Sequence, residues 1–314
     1  MNRAFIFPGQ GSQTIGMGKD IFDHEPIAKN VFEILDKTLK RPLSEIIFHG
    51  QDSILADTIN TQPAIMATSI AILKTIMHYS GKNIEELCSI VAGHSLGEYS
   101  ALCANGVLSL EQTITLLEIR ANSMKTACDG LEVGMAACIG VELNILQAII
   151  DELLPKGGIC QIANDNVIGQ IVISGEMQYI DLIITQLQEK NYRVIKLNVS
   201  GAFHCALMKP AEHIMKQAIL SEKFNNPKVP IISNINAELA TDIDVIKDNL
   251  LKQICGTVKW RQTMDQLATL GINELVEIGP GKILSNLAKK SGHNFNIYTV
   301  SNLSDIKEFL RYIK

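Results

Sequence analysis

Aromatic side chains are scarce in this chain, 5% of 314 residues with a single tryptophan, so its core must be built mainly from aliphatic groups. No apolar run approaches the roughly 20 residues that a membrane-spanning helix needs. The segment Met1–Pro8 has only Ala4, Phe5, Ile6 and Phe7 before its proline, too short for the apolar region of a signal peptide. There is no Cys-x-x-Cys pair. The seven cysteines, at 88, 103, 128, 138, 160, 205 and 255, are scattered and odd in number, which fits reduced thiols in the cytoplasm better than a disulfide framework. Positive charge is not in excess either: a formal charge of -5 removes any general attraction for nucleic acid or an anionic membrane. No His/Cys/Asp cluster has metal-ligand spacing, and no Gly-x-Gly-x-x-Gly follows a strand, so neither a metal nor a nicotinamide cofactor is expected.

What is present is an alternation of apolar strands and amphipathic helices. Over the first 130 residues it predicts strands at Ala4–Phe7 and Ile90–Ala92 and helices at Ile27–Leu39, Thr61–Tyr79 and Glu111–Cys128, the pattern of a parallel sheet covered by helices. From Val133 the order changes to strand Gly134–Gly140, helix Glu142–Leu153, strands Ile159–Ala163 and Gln170–Ser174, helix Met177–Lys190 and strand Arg193–Asn198. That is βαββαβ, a ferredoxin-like unit, with Asn164–Gly169 read as the hairpin turn between its central strands. After Ser200 the α/β alternation resumes through helix Met208–Leu220, strand Pro230–Ser233, helices Ile243–Cys255 and Trp260–Leu270, strand Glu274–Ile278 and helix Lys282–Lys290. The expected fold class is thus α/β: a large core of residues 1–130 and 200–314, interrupted by a small ferredoxin-like subdomain at 131–199.

Gly93-His94-Ser95-Leu96-Gly97 sits between the apolar run Cys88–Ala92 and the helix-like stretch Tyr99–Asn105. A strand that turns into a helix through Gly-x-Ser-x-Gly lifts the serine hydroxyl out of the sheet, which makes Ser95 a candidate nucleophile for acyl chemistry. The bare pattern arises by chance in roughly one such chain in ten at average glycine usage, so its setting carries the weight. A serine needs a base, and histidine is the usual one. His204 is the candidate because it follows an apolar strand in a Gly-containing loop. His94 is Ser95's neighbour at a tight turn, and His24, His49, His78, His213 and His293 read as surface.

An oxyanion needs donors: the Leu96 amide, just after the serine, and a second from Phe7-Pro8-Gly9-Gln10-Gly11-Ser12-Gln13, with Gln10 the candidate. Read alone, that loop is a weak phosphate-cradle or turn signal, since it lacks the Gly-Lys-[Ser/Thr] of a P-loop. Arg120, on a largely apolar helix, reads as a structural salt-bridge partner near Glu118.

Phe7–Gln13, Gly93–Tyr99, Gly201-Ala202-Phe203-His204 and Glu277-Ile278-Gly279-Pro280-Gly281-Lys282 together resemble malonyl-CoA:acyl-carrier-protein transacylases, in the same order and over residues 6 to about 290. The resemblance implies that Ser95 takes malonyl from coenzyme A as an ester and passes it to the phosphopantetheine thiol of acyl carrier protein, with no cofactor. It implies further that His204 is the base, Gln10 and Leu96 the oxyanion amides, Arg120 the clamp on the malonyl carboxylate, replacing the salt-bridge reading, and Gln253 the residue whose carbonyl orients His204. Without it Gln253 reads as a solvated helix residue. Phe203 matches a position associated with malonyl over α-methylated units. The chain departs from the family texture at Asn166-Val167-Ile168-Gly169, where Asn-Ser-Pro-Gly is frequent, and at Cys255-Gly256-Thr257, close to Gln253, where Tyr-Asn-Pro is common.

A bidentate guanidinium–carboxylate pair would favour malonyl over acetyl by about a hundredfold to a thousandfold. The carrier protein, acidic as a family, would need a local basic patch, for which Lys190, Arg193, Lys196, Lys282, Lys289 and Lys290 are candidates; malonyl-CoA and carrier are the expected partners of a monomer. Two other classes share some of these residues: a serine hydrolase that delivers the acyl group to water, and a non-catalytic docking module.

Overall fold

Strand β1 (Arg3–Phe7) is buried along its whole length: Phe5 and Phe7 enter one apolar cluster and Ala4 and Ile6 another, as a strand covered by helices on both faces requires. The computed structural model describes residues 2–199 and 201–313. Met1, Ser200 and Lys314 fall outside it, so Ser200 in the His204 loop is not described.

Around β1 lies a six-stranded sheet. Its other strands are β2 (Ile90–Gly93), β7 (Ile231–Ile232), β8 (Leu239–Ala240), β9 (Glu274–Ile278) and β10 (Asn296–Val300), in the order β10-β9-β1-β2-β7-β8. All neighbours pair parallel except β7 and β8. A second, wholly antiparallel sheet contains β3 (Val133–Ile139), β4 (Cys160–Val167), β5 (Gln170–Glu176) and β6 (Arg193–Lys196), ordered β4-β5-β3-β6. One face packs Ala136, Cys138 and Ile173 on the helices Leu143–Leu153 and Met177–Glu189. Met135, Ala163 and Val172 of the other face join the core of the larger sheet. The chain is therefore a mixed α/β structure with a parallel-sheet core and an additional antiparallel sheet.

Several elements differ from the sequence expectation. The expected turn at Asn164–Gly169 is strand as far as Val167, and Ile168 and Gly169 alone make the turn, with Gly169 at φ 72°. The polar run Asn164-Asp165-Asn166 imitates turn composition but is buried, because β4 continues across the boundary between the sheets. There the Asp165 amide donates to the Val258 carbonyl at 3.0 Å, Val258 donates to Ala163 at 2.8 Å, and Arg261 holds the Asp165 carboxylate through Nε and Nη2.

The helix expected at Thr61–Tyr79 begins at Thr58, where the Asp57 carboxylate accepts from the Ile59 amide. Strand β6 stops at Lys196, two residues early. Strand β10 and the helix Leu303–Tyr312 lack a sequence expectation: β10 is an edge strand with only Val300 buried, so its apolar alternation is weak. Of the histidines read as surface, four are exposed and His293 is half-buried against Asp265, 2.7 Å away. Among the described residues no helix is long and apolar enough to cross a membrane.

The Asp165–Arg261 pair fastens the two sheets, and its carboxylate is the buried member, 4% exposed. Arg261→Ala leaves that carboxylate without its partner and is expected to destabilise the protein by about 3 kcal/mol. A urea midpoint unchanged from the parent would contradict this.

Candidate active site

Strand β2 ends at Gly93 and the helix Leu96–Ala104 begins two residues after His94, so Ser95 must reverse the chain in a single step. It does so at φ 54°, ψ -110°, a conformation that costs a non-glycine residue about 1–3 kcal/mol. The flanking glycines are required by packing: a Cβ on Gly93 would lie 1.9 Å from the Gly97 carbonyl oxygen, and one on Gly97 would lie 2.2 Å from that of Phe7. The tight turn projects the Ser95 hydroxyl toward a loop 109 residues later, where Oγ lies 2.8 Å from His204 Nε2.

The other nitrogen of His204 fixes its tautomer. Nδ1 is 2.9 Å from the Gln253 main-chain carbonyl on the helix Ile243–Cys255, and a carbonyl only accepts, so Nδ1 carries the proton. Nε2 is then the acceptor for the Ser95 hydroxyl. Burial, and after it the nearby Arg120 charge, hold the imidazole down to a pKa of about 3, so it stays neutral and able to take a proton. The Cys255-Gly256-Thr257 departure leaves the Gln253 carbonyl in contact with His204.

Arg120 comes from the helix Leu110–Thr126 and is 1% exposed. The salt bridge near Glu118 does not form: Glu118 faces Arg41, and Arg120 has no carboxylate within ion-pair distance among the described residues. Its hydrogen-bond partners are neutral. Nη1 donates to Gln62 Oε1 at 2.7 Å, Nη2 donates to Ser95 Oγ at 3.1 Å and Gln253 Oε1 at 3.0 Å, and Nε has no partner. The guanidinium carbon stands 5.5 Å from the Tyr99 ring centroid, a favourable place for a cation. Glu98 is buried nearby, and burial pushes its carboxyl up to about 7 despite a hydrogen bond from Gln253. A buried cation short of anionic partners beside a nucleophile suits an acyl group that itself carries a carboxylate.

That acyl group has room. A cavity of about 300 Å³ is lined by Ser95, Arg120, Gln10, Met124, Met135 and Phe203. No hydrogen bond takes up the main-chain N–H of Gln10 or of Leu96 among the described residues. Gln10 follows β1, and Gly9 lets that loop run against the elbow, since a Cβ there would lie 2.6 Å from the His94 carbonyl oxygen. A larger cleft of about 900 Å³, between the helix Leu143–Leu153, β4 and the segment after Cys255, reaches His204 but neither Ser95 nor Arg120. Among the described residues no group of three or more His, Cys, Asp or Glu side chains could hold a metal ion.

The structure thus brings Ser95, His204, Arg120, Gln253, Gln10, Leu96 and Phe203 to one place. Gln253, read without the family resemblance as solvated, is fully buried. Cys205 is buried beside Ser174, away from the nucleophile. His94 lines the same cavity, but its Nε2 lies 2.8 Å from Asn166 Oδ1 and the ring makes no hydrogen bond to the Ser95 hydroxyl. Three further residues of the site have no role that the sequence suggests. Gln62 supports Arg120, and its Nε2 donates to Thr58 Oγ1, which in turn donates to Gln10 Oε1. Glu98 accepts from Gln253 Nε2 at 2.7 Å, and Asn234 touches Ser95 directly. In the sequence Glu98 is visible only as part of the Gly93–Tyr99 motif, and Gln62 and Asn234 stand beside other polar residues, Thr61 and Ser233, with nothing to single them out.

The acyl transferase domain family matches residues 4–308 of the chain. A malonyl CoA-acyl carrier protein transacylase of Bacillus subtilis (strain 168) is 39% identical over 313 residues, 99% of this chain and 97% of the relative. The crystal structure of an acyl-carrier-protein S-malonyltransferase from Bartonella henselae superposes with a TM-score of 0.96 at 43% identity, covering 100% of this chain and 99% of the other. A malonyl-transacylase solved with its holo type II polyketide synthase acyl-carrier protein gives 0.94 at 31% identity, covering 99% of this chain and 100% of that one. Identity of this order across the whole length, with the fold retained, leaves one family: the chain belongs to the malonyl-CoA:acyl-carrier-protein transacylases.

Proposed function

We propose that this protein transfers malonyl from malonyl-CoA to the phosphopantetheine thiol of acyl carrier protein through an ester on Ser95, supplying fatty-acid chain elongation. The observation that carries the reading is the position of Ser95 Oγ between His204 Nε2 at 2.8 Å and Arg120 Nη2 at 3.1 Å: a nucleophile with its base on one side and a buried cation on the other.

In the first half-reaction Ser95 Oγ attacks the thioester carbonyl while its proton passes to His204 Nε2. The carbonyl oxygen becomes an oxyanion facing the Gln10 and Leu96 amides, each such donor being worth about 3 kcal/mol. Collapse breaks the C–S bond, and the departing CoA sulfur takes the proton from His204. In the second half the carrier thiol gives its proton to His204 and attacks the ester, and Ser95 Oγ leaves and recovers that proton. The Arg120 guanidinium holds the malonyl carboxylate throughout, and the Gln253 carbonyl stabilises the imidazolium that forms twice. Phe203, on the cavity wall, crowds the α-carbon and disfavours methylated units. No cofactor takes part.

The same reading treats the large sheet as a hydrolase-like core of residues 1–130 and 200–314, and 131–199 as an inserted ferredoxin-like subdomain. The order β4-β5-β3-β6, with both helices on one face, supports this. The same reading takes the enzyme as a monomer, and the net charge fits a cytoplasmic protein without affinity for nucleic acid or membrane. The carrier would dock beside β6, where Lys190 and Arg193 are exposed and the chain leads through Leu197 and Val199 into the cavity wall. Lys196 there is already paired with Asp181; Lys282, Lys289 and Lys290 lie apart, around the helix Ile283–Lys289.

Radiolabelled malonyl-CoA with holo carrier protein is expected to place label on the carrier, and a quenched reaction without carrier to leave a malonyl adduct on the Ser95 peptide; Ser95→Ala abolishes both. Label released as free malonate at a rate indifferent to carrier would mean a hydrolase instead. Arg120→Ala should lower malonyl transfer by about a hundredfold or more while changing acetyl transfer far less; equal losses would rule out a carboxylate clamp. Because the folded pKa of His204 lies far below the ordinary histidine value, the base remains unprotonated as pH falls through 6.5, and Ser95 acylation is expected to hold its plateau down to pH 5. An acid limb centred near 6.5 in quench-flow rates would contradict the assignment.

A further inference from the structure

Ser95 occupies a backbone conformation that nothing in its own sequence favours, so the surroundings must impose it. The grip comes from Asn234, just after β7. Its Oδ1 accepts from the Ser95 amide at 2.7 Å, and its Nδ2 donates to the Gly93 carbonyl at 2.6 Å, so one side-chain amide spans the peptide groups on both sides of His94. Asn234 is fully buried, and its own main-chain N–H donates to Glu98 Oε2 at 3.3 Å. The same carboxylate oxygen accepts from Gln253 Nε2, which also donates to the Ser95 carbonyl at 3.0 Å. Both ends of residue 95 are therefore held by buried amide side chains, and Glu98 ties the two residues together, accepting from the Asn234 main chain and from the Gln253 side chain. No atom of Asn234 is hydrogen-bonded to the Ser95 hydroxyl, His204 or Arg120.

We propose that Asn234 is a positioning residue: it fixes the Ser95 peptide so that Oγ stays within reach of His204 Nε2, and Glu98 anchors it. This rests on Ser95 being the nucleophile of the transacylase reading. A side chain that only filled space would affect folding. One that sets the geometry of the nucleophile must affect the acylation rate with little change in substrate affinity, because a misplacement of about 1 Å costs about a hundredfold.

The experiment compares Asn234→Ala with Asn105→Ala in the full-length protein. Asn105 is also fully buried and also pins backbone, donating to the Val229 carbonyl and accepting from the Lys228 and Val229 amides, but at the far end of the Ser95 helix. Both variants should melt at lower temperature. Asn234→Ala alone should slow malonyl-enzyme formation and reaction with a fluorophosphonate probe, each by about a hundredfold, with KM for malonyl-CoA changed less than threefold. Asn234→Asp keeps an acceptor for the Ser95 amide and should retain more of the rate than Ala; it is measured in any case, so a poorly folding Ala variant does not end the test. Rates equal to those of Asn105→Ala, or a loss confined to KM, would overturn the proposal. Because the fluorophosphonate needs only a competent serine, a parent protein that reacts with it but loads no carrier would refute the transacylase reading and leave the role of Asn234 to be decided by the probe rates.

Discussion

A guanidinium at 1% exposure with no carboxylate within ion-pair distance among the described residues is the constraint around which the rest of this site is arranged. Desolvating a cation is expensive, and Arg120 meets that cost with neutral acceptors on three elements and the face of Tyr99 rather than with a counter-ion. The unmet demand for negative charge is what a malonyl carboxylate would satisfy. The same cation acts on its neighbours: it adds to the burial that keeps His204 neutral, and it lies close enough to Ser95 to hydrogen-bond the hydroxyl. The proposed carboxylate clamp thus also contributes, after burial, to keeping the proposed base neutral.

Holding those groups together takes both sheets. The elbow belongs to the parallel sheet, and its glycines are dictated by carbonyl oxygens that leave no space for a methyl group. The antiparallel sheet reaches it through β4, whose buried polar end bonds to His94, Val258 and Arg261. Polar residues inside a strand are normally unfavourable; here they pair across the boundary, which fastens one wall of the cavity to the other.

Much of this was legible along the chain. Strands such as β1 and β9 are short apolar runs between turn residues, and the Gly-x-Ser-x-Gly setting singles out Ser95 without reference to any partner. Asn164–Asn166 misleads because asparagine and aspartate look alike in a turn and in a buried polar seam; the difference lies in the partner residues, which for Asp165 are Val258 and Arg261, 93 and 96 positions away. Arg120 misled for a related reason. A cation on an apolar helix most often finds a carboxylate, and a cation left among amides has no local signature.

The sequence by itself determined the α/β class, the interruption by a βαββαβ segment and the place where a serine would be exposed on a tight turn, because each is written in hydrophobic period and glycine spacing within about a dozen residues. Only the tertiary structure decided that Ser95 Oγ meets His204 across 109 residues, that Gln253 is buried rather than solvated, and that Asn234 and Glu98 brace the elbow. Those contacts join residues brought close by the sheet, and a hydrogen bond between distant segments leaves no periodicity in either of them.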